Sequence, residues 1–189
     1  MARCVQNSKN PAWAELIQLI PIVSLALPFI INGEVDLSRA ASGFLLGAIL
    51  ALLLSAVVVN RKCVLNPILI GTGLWLCLGA AAFNLHLAQL SAWMVAAQGF
   101  GLFALVLAVG IVTTFWSPQG YIGHRHQDAR WLRRASLTLL ALSIIAVWWA
   151  YRMRSNIRLG GGLPFIVLNV VRRVLIVRSP QPHAIESTP

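Results

Sequence analysis

Long apolar stretches separated by short polar segments dominate the pattern of this chain. A helix needs about 20 apolar residues to cross the hydrocarbon of a bilayer. None of these stretches alternates with a period of two, as barrel strands do, so we predict helices, whose backbone hydrogen bonds are satisfied within each segment. The five predicted spans run from about Ala14 to Ile31, from Ala40 to Val59, from Pro67 to about Leu85, from Trp93 to Trp116 and from Ala135 to Tyr151.

The C-terminal part of the chain has a different pattern. Three glycines at 160–162 and Pro164 precede an apolar segment in which Asn169, Arg172 and Arg173 fall on one side of a helical wheel and valines fall largely on the other. This pattern is typical of a basic amphipathic helix that lies in the headgroup plane. A thin sixth crossing with snorkelling arginines is the alternative.

The predicted fold class is therefore all-α: a polytopic helical membrane protein with about five transmembrane helices and a C-terminal basic amphipathic helix. We divide the chain into a transmembrane domain at residues 1–158, the interfacial helix at 159–178 and a disordered tail at 179–189.

Small residues recur at every fourth position of the second predicted span. This spacing places them on one helical face, which allows a neighbouring backbone to approach closely. The face serves either packing within the chain, which we favour, or contact with a partner helix. Its members are Gly43, Gly47, Ala51 and Ser55.

Composition supports the membrane interpretation and excludes an ordinary soluble domain. Of the 189 residues, 58% are hydrophobic and only 11% are charged, whereas soluble domains carry about a quarter charged residues. The net charge of +10 comes from 15 Lys and Arg against 5 Asp and Glu. Because these charges lie between apolar segments, we expect anionic headgroups as partners rather than nucleic acid. The predicted lipid-binding residues are Arg152, Arg154, Arg158, Arg172, Arg173 and Arg178.

The distribution of basic residues predicts the topology. Arg3 and Lys9 precede the first span, Arg61 and Lys62 follow the second, and four arginines occur within 125–134 after the fourth. The positive-inside rule then places the N-terminus in the cytoplasm. No cleavable signal is evident, so we expect a multi-pass protein of the bacterial inner membrane. Five crossings would leave the last arginines outside, against the rule.

One candidate chemistry is a metal site in the loop after the fourth span. His124, His126 and Asp128 are suitable zinc ligands, and they would make the chain a metal-dependent membrane enzyme. Neighbouring arginines repel a divalent cation, however, and a loop of this composition needs no metal. We therefore predict neither a cofactor nor a catalytic residue.

A small transporter or permease component is the second alternative. Prolines in the first span would mark a broken helix around a substrate path. Polar residues near the hairpin between the third and fourth spans would line a cavity. A proline kink and a capped turn are the simpler explanations. The residues concerned are Pro21, Pro28, Asn84, His86, Gln89 and Gln98.

Several short features occur in order along the first 116 residues. They are Leu19-Ile20-Pro21-Ile22, Asp36, Ala40-Ala41, Arg61-Lys62, Gly79, Trp93 and Leu102-Phe103-Ala104. This order resembles the intracellular septation protein A family, small bacterial inner-membrane proteins linked to cell-envelope synthesis and division. The resemblance implies a non-enzymatic accessory role in septation or envelope synthesis, exerted through membrane-protein partners and lipid contacts. It carries over no catalytic residue, and the chain departs from the family pattern in the His-rich loop and from Arg152 onward.

Overall fold

The chain folds into a bundle of long helices. The computed structural model describes residues 37–60, 65–123, 128–154 and 158–179. The elements are α1 (Leu37–Asn60), α2 (Pro67–Asn84), α3 (Ala88–Trp116), α4 (Ala129–Arg152), a π-helical turn (Arg158–Gly162) and α5 (Leu163–Val177). Within the described ranges, five helical segments are long and apolar enough to cross a membrane. The chain is therefore a polytopic helical membrane protein.

Four of the predicted spans correspond to α1, α2, α3 and α4. Three of these helices begin earlier than their apolar stretches: α1 at Leu37 rather than Ala40, α3 at Ala88 rather than Trp93, and α4 at Ala129 rather than Ala135. The first turns of α4 are polar because they lie beyond the apolar window, but Asp128 caps them and the helix continues. The predicted first span (Ala14–Ile31) and the tail after Ser179 lie outside the described residues.

Consecutive helices pack side by side. Contacts run from α1 to α2, from α2 to α3, from α3 to α4 and from α4 to α5. The helices α2 and α3 approach each other closely, because a Cβ built on Gly71 would lie 2.6 Å from the Cα of Val106. Against α1, the rings of Phe44 and Phe83 stack with their centroids 5.4 Å apart.

Two buried clusters hold the bundle together. One lies between α2 and α3, where Trp75 is buried against Gly101 and meets Trp93 edge-on at a centroid distance of 5.8 Å. The larger cluster joins α2, α3, α4 and α5 with the loop after α3. Its buried members are Ile68, Phe103, Val106, Tyr121, Ile122, Ala135, Leu139, Ala146, Ala150, Phe165 and Leu168.

The helix α5 runs along α4, from the end of α4 back to the loop that precedes it. At its start, the indole Nε1 of Trp149 donates to the carbonyl of Leu159 at 3.1 Å, close to the end of α4. Near its finish, the Nε of Arg172 donates to the carbonyl of Ile122 at 2.9 Å, in the loop that precedes α4. We call the end with this loop and the starts of α2 and α4 the loop end, and the opposite end the hairpin end.

The preferred prediction of a helix lying in the headgroup plane and the alternative of a thin crossing both stay predictions. The segment Leu159–Val177 has the length and composition of a membrane span. A buried stripe of Phe165, Leu168 and Arg172, spaced by three and four residues, faces the bundle. The helical wheel separated polar from apolar positions, but it did not show that an arginine belongs to the packed stripe.

Candidate functional site

The second half of the loop that follows α3, residues 120–123, is buried. Residues 117–123 turn back toward the helices, and Tyr121 and Ile122 are fully buried in the larger cluster. Two glycines make this course possible, because Gly120 and Gly123 both have a φ of +60°, a conformation that other residues rarely adopt. A Cβ on Gly123 would also lie 2.7 Å from the Cδ of Pro67 at the start of α2.

Hydrogen bonds from α4 fix Tyr121 in place. The Oγ of Ser136 accepts from the Tyr121 backbone N–H at 3.0 Å, and the phenolic oxygen lies 2.8 Å from the Oγ of Ser143. Ser143 in turn donates to the carbonyl of Leu139 at 2.9 Å. The ring passes close to Gly110 of α3, where a Cβ would lie 2.7 Å from the ring Cζ. These contacts join α3 and α4 through a single tyrosine.

Burial raises the pKa of Tyr121 from its ordinary value of 10.0 to about 12, while the hydrogen bond with Ser143 and the positive charge of Arg172 act in the opposite direction. The phenol therefore remains protonated and able to donate at every physiological pH. It serves as the hydrogen-bond partner of Ser143.

Arg172 fastens α5 to the same loop. Only 5% of its surface is exposed, and its bond to the Ile122 carbonyl is the link described above. The sequence grouped Arg172 with Arg173 as lipid ligands, but the structure separates the two: Arg173 is exposed. Arg172 is thus directed into the protein, where a charged donor satisfies a carbonyl that no water would reach.

Exposed arginines surround the loop end. Arg130, Arg133 and Arg134 lie on the first two turns of α4, and Arg173 and Arg178 lie at the end of α5. At the hairpin end, the predicted lipid ligands Arg152 and Arg154 lie over aromatic rings. Their guanidinium carbons are 6.0 Å from the Trp148 centroid and 5.7 Å from the Tyr151 centroid. Arg158, the remaining predicted ligand, begins the π-helical turn.

The small residues of α1 are buried or half-buried. Gly43 and Gly47 are buried, and Ser55 is half-buried. A Cβ on Gly73 of α2 would lie 3.6 Å from the Cβ of Ala51, an ordinary contact. Ala51 is therefore used in the contact between α1 and α2, whereas the choice between packing within the chain and a partner helix for the whole face stays a prediction.

Asp128 caps α4. One carboxylate oxygen accepts from the backbone N–H groups of Arg130 at 2.9 Å and Trp131 at 3.3 Å. The other two proposed metal ligands, His124 and His126, lie outside the described residues. Within the part of the chain that the structure describes, no group of three metal-ligating side chains occurs.

The polar residues proposed for a transport path serve the turn between α2 and α3 where the structure describes them. The Nδ2 of Asn84 donates to the carbonyl of Ala80 at 2.9 Å and to that of Ala41 at 3.4 Å, which ties α2 to the start of α1. His86 occupies the turn with a φ of 52°, and Gln89 is exposed. Pro21, Pro28 and the side chain of Gln98 lie outside the described residues.

The sequence reasoning missed the group formed by Tyr121, Ser136 and Ser143. Two signals were present: a Tyr-Ile pair between two glycines in an otherwise polar loop, and two serines seven residues apart on one face of α4. Neither signal shows that the tyrosine and the serines contact each other, because they are 15 and 22 positions apart in the chain.

Comparison with known proteins adds no further identification. No family model, no curated protein and no solved structure matches this chain. The structure itself defines the class of protein, a polytopic helical membrane bundle with a loop buried at one end.

Proposed function

We propose that the chain is an accessory factor of cell-envelope synthesis or septation in the bacterial inner membrane, acting through contacts with membrane proteins and lipids rather than through catalysis. The envelope role rests on the resemblance of residues 1–116 to the intracellular septation protein A family.

One observation favours a role exerted by contact. Among the described residues, every buried side-chain nitrogen or oxygen has a hydrogen-bond partner. Thr72, Tyr121 and Ser143 exemplify this, since their hydroxyl groups bind backbone carbonyls or one another. The polar interior of the described bundle is thus used to hold helices together, which leaves the outer surface as the region that meets other molecules.

Affinity capture of the full-length protein from native membranes tests this proposal. The tagged chain is extracted in a mild detergent, and co-purifying proteins are identified by mass spectrometry. A multi-pass membrane protein of similar size, carrying the same tag and expressed at the same level, is the control. We expect stoichiometric recovery of division or cell-wall synthesis proteins with this chain and not with the control.

Recovery of no stoichiometric partner, or of the same proteins with the control, would contradict the envelope role. A variant in the α1 packing face is unsuitable as the disabling mutation. Gly47 is buried within the bundle, so Gly47→Leu would disturb the fold together with any partner contact.

A further inference from the structure

Two groups of arginines that are distant in the sequence lie at the loop end. Arg130, Arg133 and Arg134 belong to the start of α4, whereas Arg173 and Arg178 belong to the end of α5. The bond from Arg172 to the loop carbonyl places the end of α5 beside the segment that leads into α4. We call these five exposed arginines the arginine rim.

The rim is a concentrated positive charge. The three arginines of α4 are spaced by three and four residues, so they share one face of the helix, and all five rim residues are exposed. Among the described residues 65–70, 117–123, 128–134 and 172–179 of this end, Asp128 is the one acid. Its carboxylate caps α4. The rim therefore attracts anions.

Arg130 does not stabilise its own helix. The start of a helix carries the positive end of the macrodipole, so cations there are unfavourable. Arg130 lies in the first turn of α4, where its charge opposes the macrodipole, and an external anion would offset the repulsion. At α5 the opposite holds, because its arginines lie at the negative end.

Exposed aromatic residues place the rim at headgroup depth. Trp116 is 78% exposed at the end of α3, and Trp93 is 51% exposed near its start. These two residues are 23 positions apart, which corresponds to about 35 Å along a helix. This separation suits two aromatic belts at the boundaries of a hydrocarbon layer about 30 Å thick. The rim lies at the end that Trp116 marks.

Apolar side chains lie next to the rim toward the middle of the bundle. Leu137, one turn after the arginines of α4, is exposed, and so are Val174 and Val177 beside the arginines of α5. A ligand that matches this surface carries a negative charge, which contacts the arginines, and apolar chains that extend from it toward the middle of the bundle. An acidic peptide matches only the charged part.

We propose that the arginine rim binds the phosphate groups of anionic phospholipids, whose acyl chains lie along the exposed apolar residues of α4 and α5. This binding does not depend on the envelope role and would hold for any function of the chain. It shifts the principal lipid-binding residues from the set predicted from the sequence to Arg130, Arg133, Arg134, Arg173 and Arg178.

Lipid titration of the full-length protein tests the proposal. The chain is purified in a neutral detergent and titrated with phosphatidylglycerol or with phosphatidylcholine of the same acyl chains, and bound lipid is counted by native mass spectrometry. R133Q/R134Q removes two rim charges, and R152Q/R154Q removes two charges at the hairpin end as the matched control. Melting temperatures without lipid verify that both variants are folded.

We expect the wild-type protein to prefer phosphatidylglycerol. At roughly fivefold in affinity per arginine, R133Q/R134Q should bind it about thirtyfold more weakly, with binding of phosphatidylcholine unchanged and R152Q/R154Q like the wild type. Equal weakening in the two variants, or no preference of the wild type for the anionic lipid, would overturn the proposal. So would retention of an acidic protein at the rim without any lipid preference.

A measurement on the wild-type protein covers the case in which R133Q/R134Q does not fold. Raising the ionic strength until the Debye length falls from about 10 Å to about 3 Å should weaken binding of phosphatidylglycerol and leave phosphatidylcholine unaffected. R133K/R134K, which keeps both charges, should retain most of the preference. An anionic preference that is insensitive to salt would contradict the arginine rim as its source.

Discussion

The contact between α1 and α2 and the loop end of the bundle hold helices together by different means. Between α1 and α2, small residues and stacked rings bring two surfaces into van der Waals contact. At the loop end, hydrogen bonds from Ser136, Ser143 and Arg172 fix a loop among three helices. In lipid, apolar surface alone drives little association, so close packing and buried hydrogen bonds both contribute.

The difference concerns what each contact needs from the sequence. A close approach needs small residues at helical spacing on each partner, a local property of one segment. A buried loop needs a donor or acceptor for each polar group it brings inside, and those partners come from other helices. Substitutions at the close contacts should therefore act by steric clash, whereas substitutions at the loop end should act by leaving polar groups without partners.

The largest effect is expected where two backbones meet. Gly71→Ala would place a Cβ 2.6 Å from the Cα of Val106, and backbone cannot move aside without separating α2 from α3. We expect the free energy of unfolding to fall by about 3 kcal/mol, measured by SDS titration in mixed micelles. Gly73→Ala is the control, since its Cβ would meet Ala51 at an ordinary distance, and it should raise stability by about 0.5 kcal/mol. Equal effects at the two positions would contradict the described α2–α3 contact.

Loss of the link between α5 and the loop is expected to have the next largest effect. Arg172→Met keeps much of the side-chain volume but leaves the buried Ile122 carbonyl without its charged donor. The free energy of unfolding should fall by about 2 kcal/mol. The neighbouring exposed residue provides the control, because Arg173→Met should change stability by less than about 0.5 kcal/mol. If both variants were equally stable, α5 would not be fastened through Arg172.

Removal of the Tyr121 hydroxyl should have a moderate and pH-dependent effect. Tyr121→Phe loses the bond with Ser143, and we expect a loss of about 1 kcal/mol near neutral pH. A double-mutant cycle with Ser143→Ala isolates the pairwise contribution. Additive losses in the cycle would show that the two hydroxyl groups do not interact.

The pH dependence follows from the raised pKa of Tyr121. Its ordinary value is 10.0 and its value in the folded chain is about 12. In this range the folded state retains a proton that the unfolded state has lost, so the contribution to stability is complete below pH 10 and falls as the pH rises toward 12. Thermal unfolding of the wild-type protein should show this decline. In Tyr121→Phe it should be smaller, and an identical decline in both proteins would assign it to other groups.

The smallest effect is expected at the hairpin end. Asn84→Ala removes exposed hydrogen bonds to the carbonyls of Ala80 and Ala41. Because water replaces these bonds, the loss should be about 0.5 kcal/mol, measured by the same SDS titration. A loss as large as that of Arg172→Met would mean that the two ends of the bundle are stabilised alike.

The helices of the bundle were largely predictable because each is encoded within one apolar segment. The α2 prediction from Pro67 to about Leu85 agrees closely with the observed Pro67–Asn84, where proline starts the helix and Asn66 caps it. The start of α4 was missed by six residues because hydropathy falls at its arginines while helix formation continues. Apolar length predicts where a helix crosses, whereas capping determines where it begins.

The loop end was not predictable in the same way. Tyr121 and Ile122 lie in a segment rich in glycine and histidine, which is typical of an exposed loop. Their burial depends on serines of α4 and on an arginine 50 residues further along the chain. For the same reason, the sequence grouped Arg172 with Arg173, although the first is buried and the second is exposed, because only tertiary contacts distinguish adjacent arginines. The arginine rim was missed because it combines the ends of two helices.

The arginine rim depends on the course of α5 along α4. Cysteine accessibility in sealed membrane vesicles tests this course most directly. With the three native cysteines replaced by serine, single cysteines are introduced at Pro118, His86 and Ser179 and treated with a membrane-impermeant thiol reagent. If α5 runs from the hairpin end to the loop end, the cysteines at 118 and 179 should be labelled from one side of the membrane and the cysteine at 86 from the other. Labelling of 179 together with 86 would contradict this path and, with it, the placement of the arginine rim.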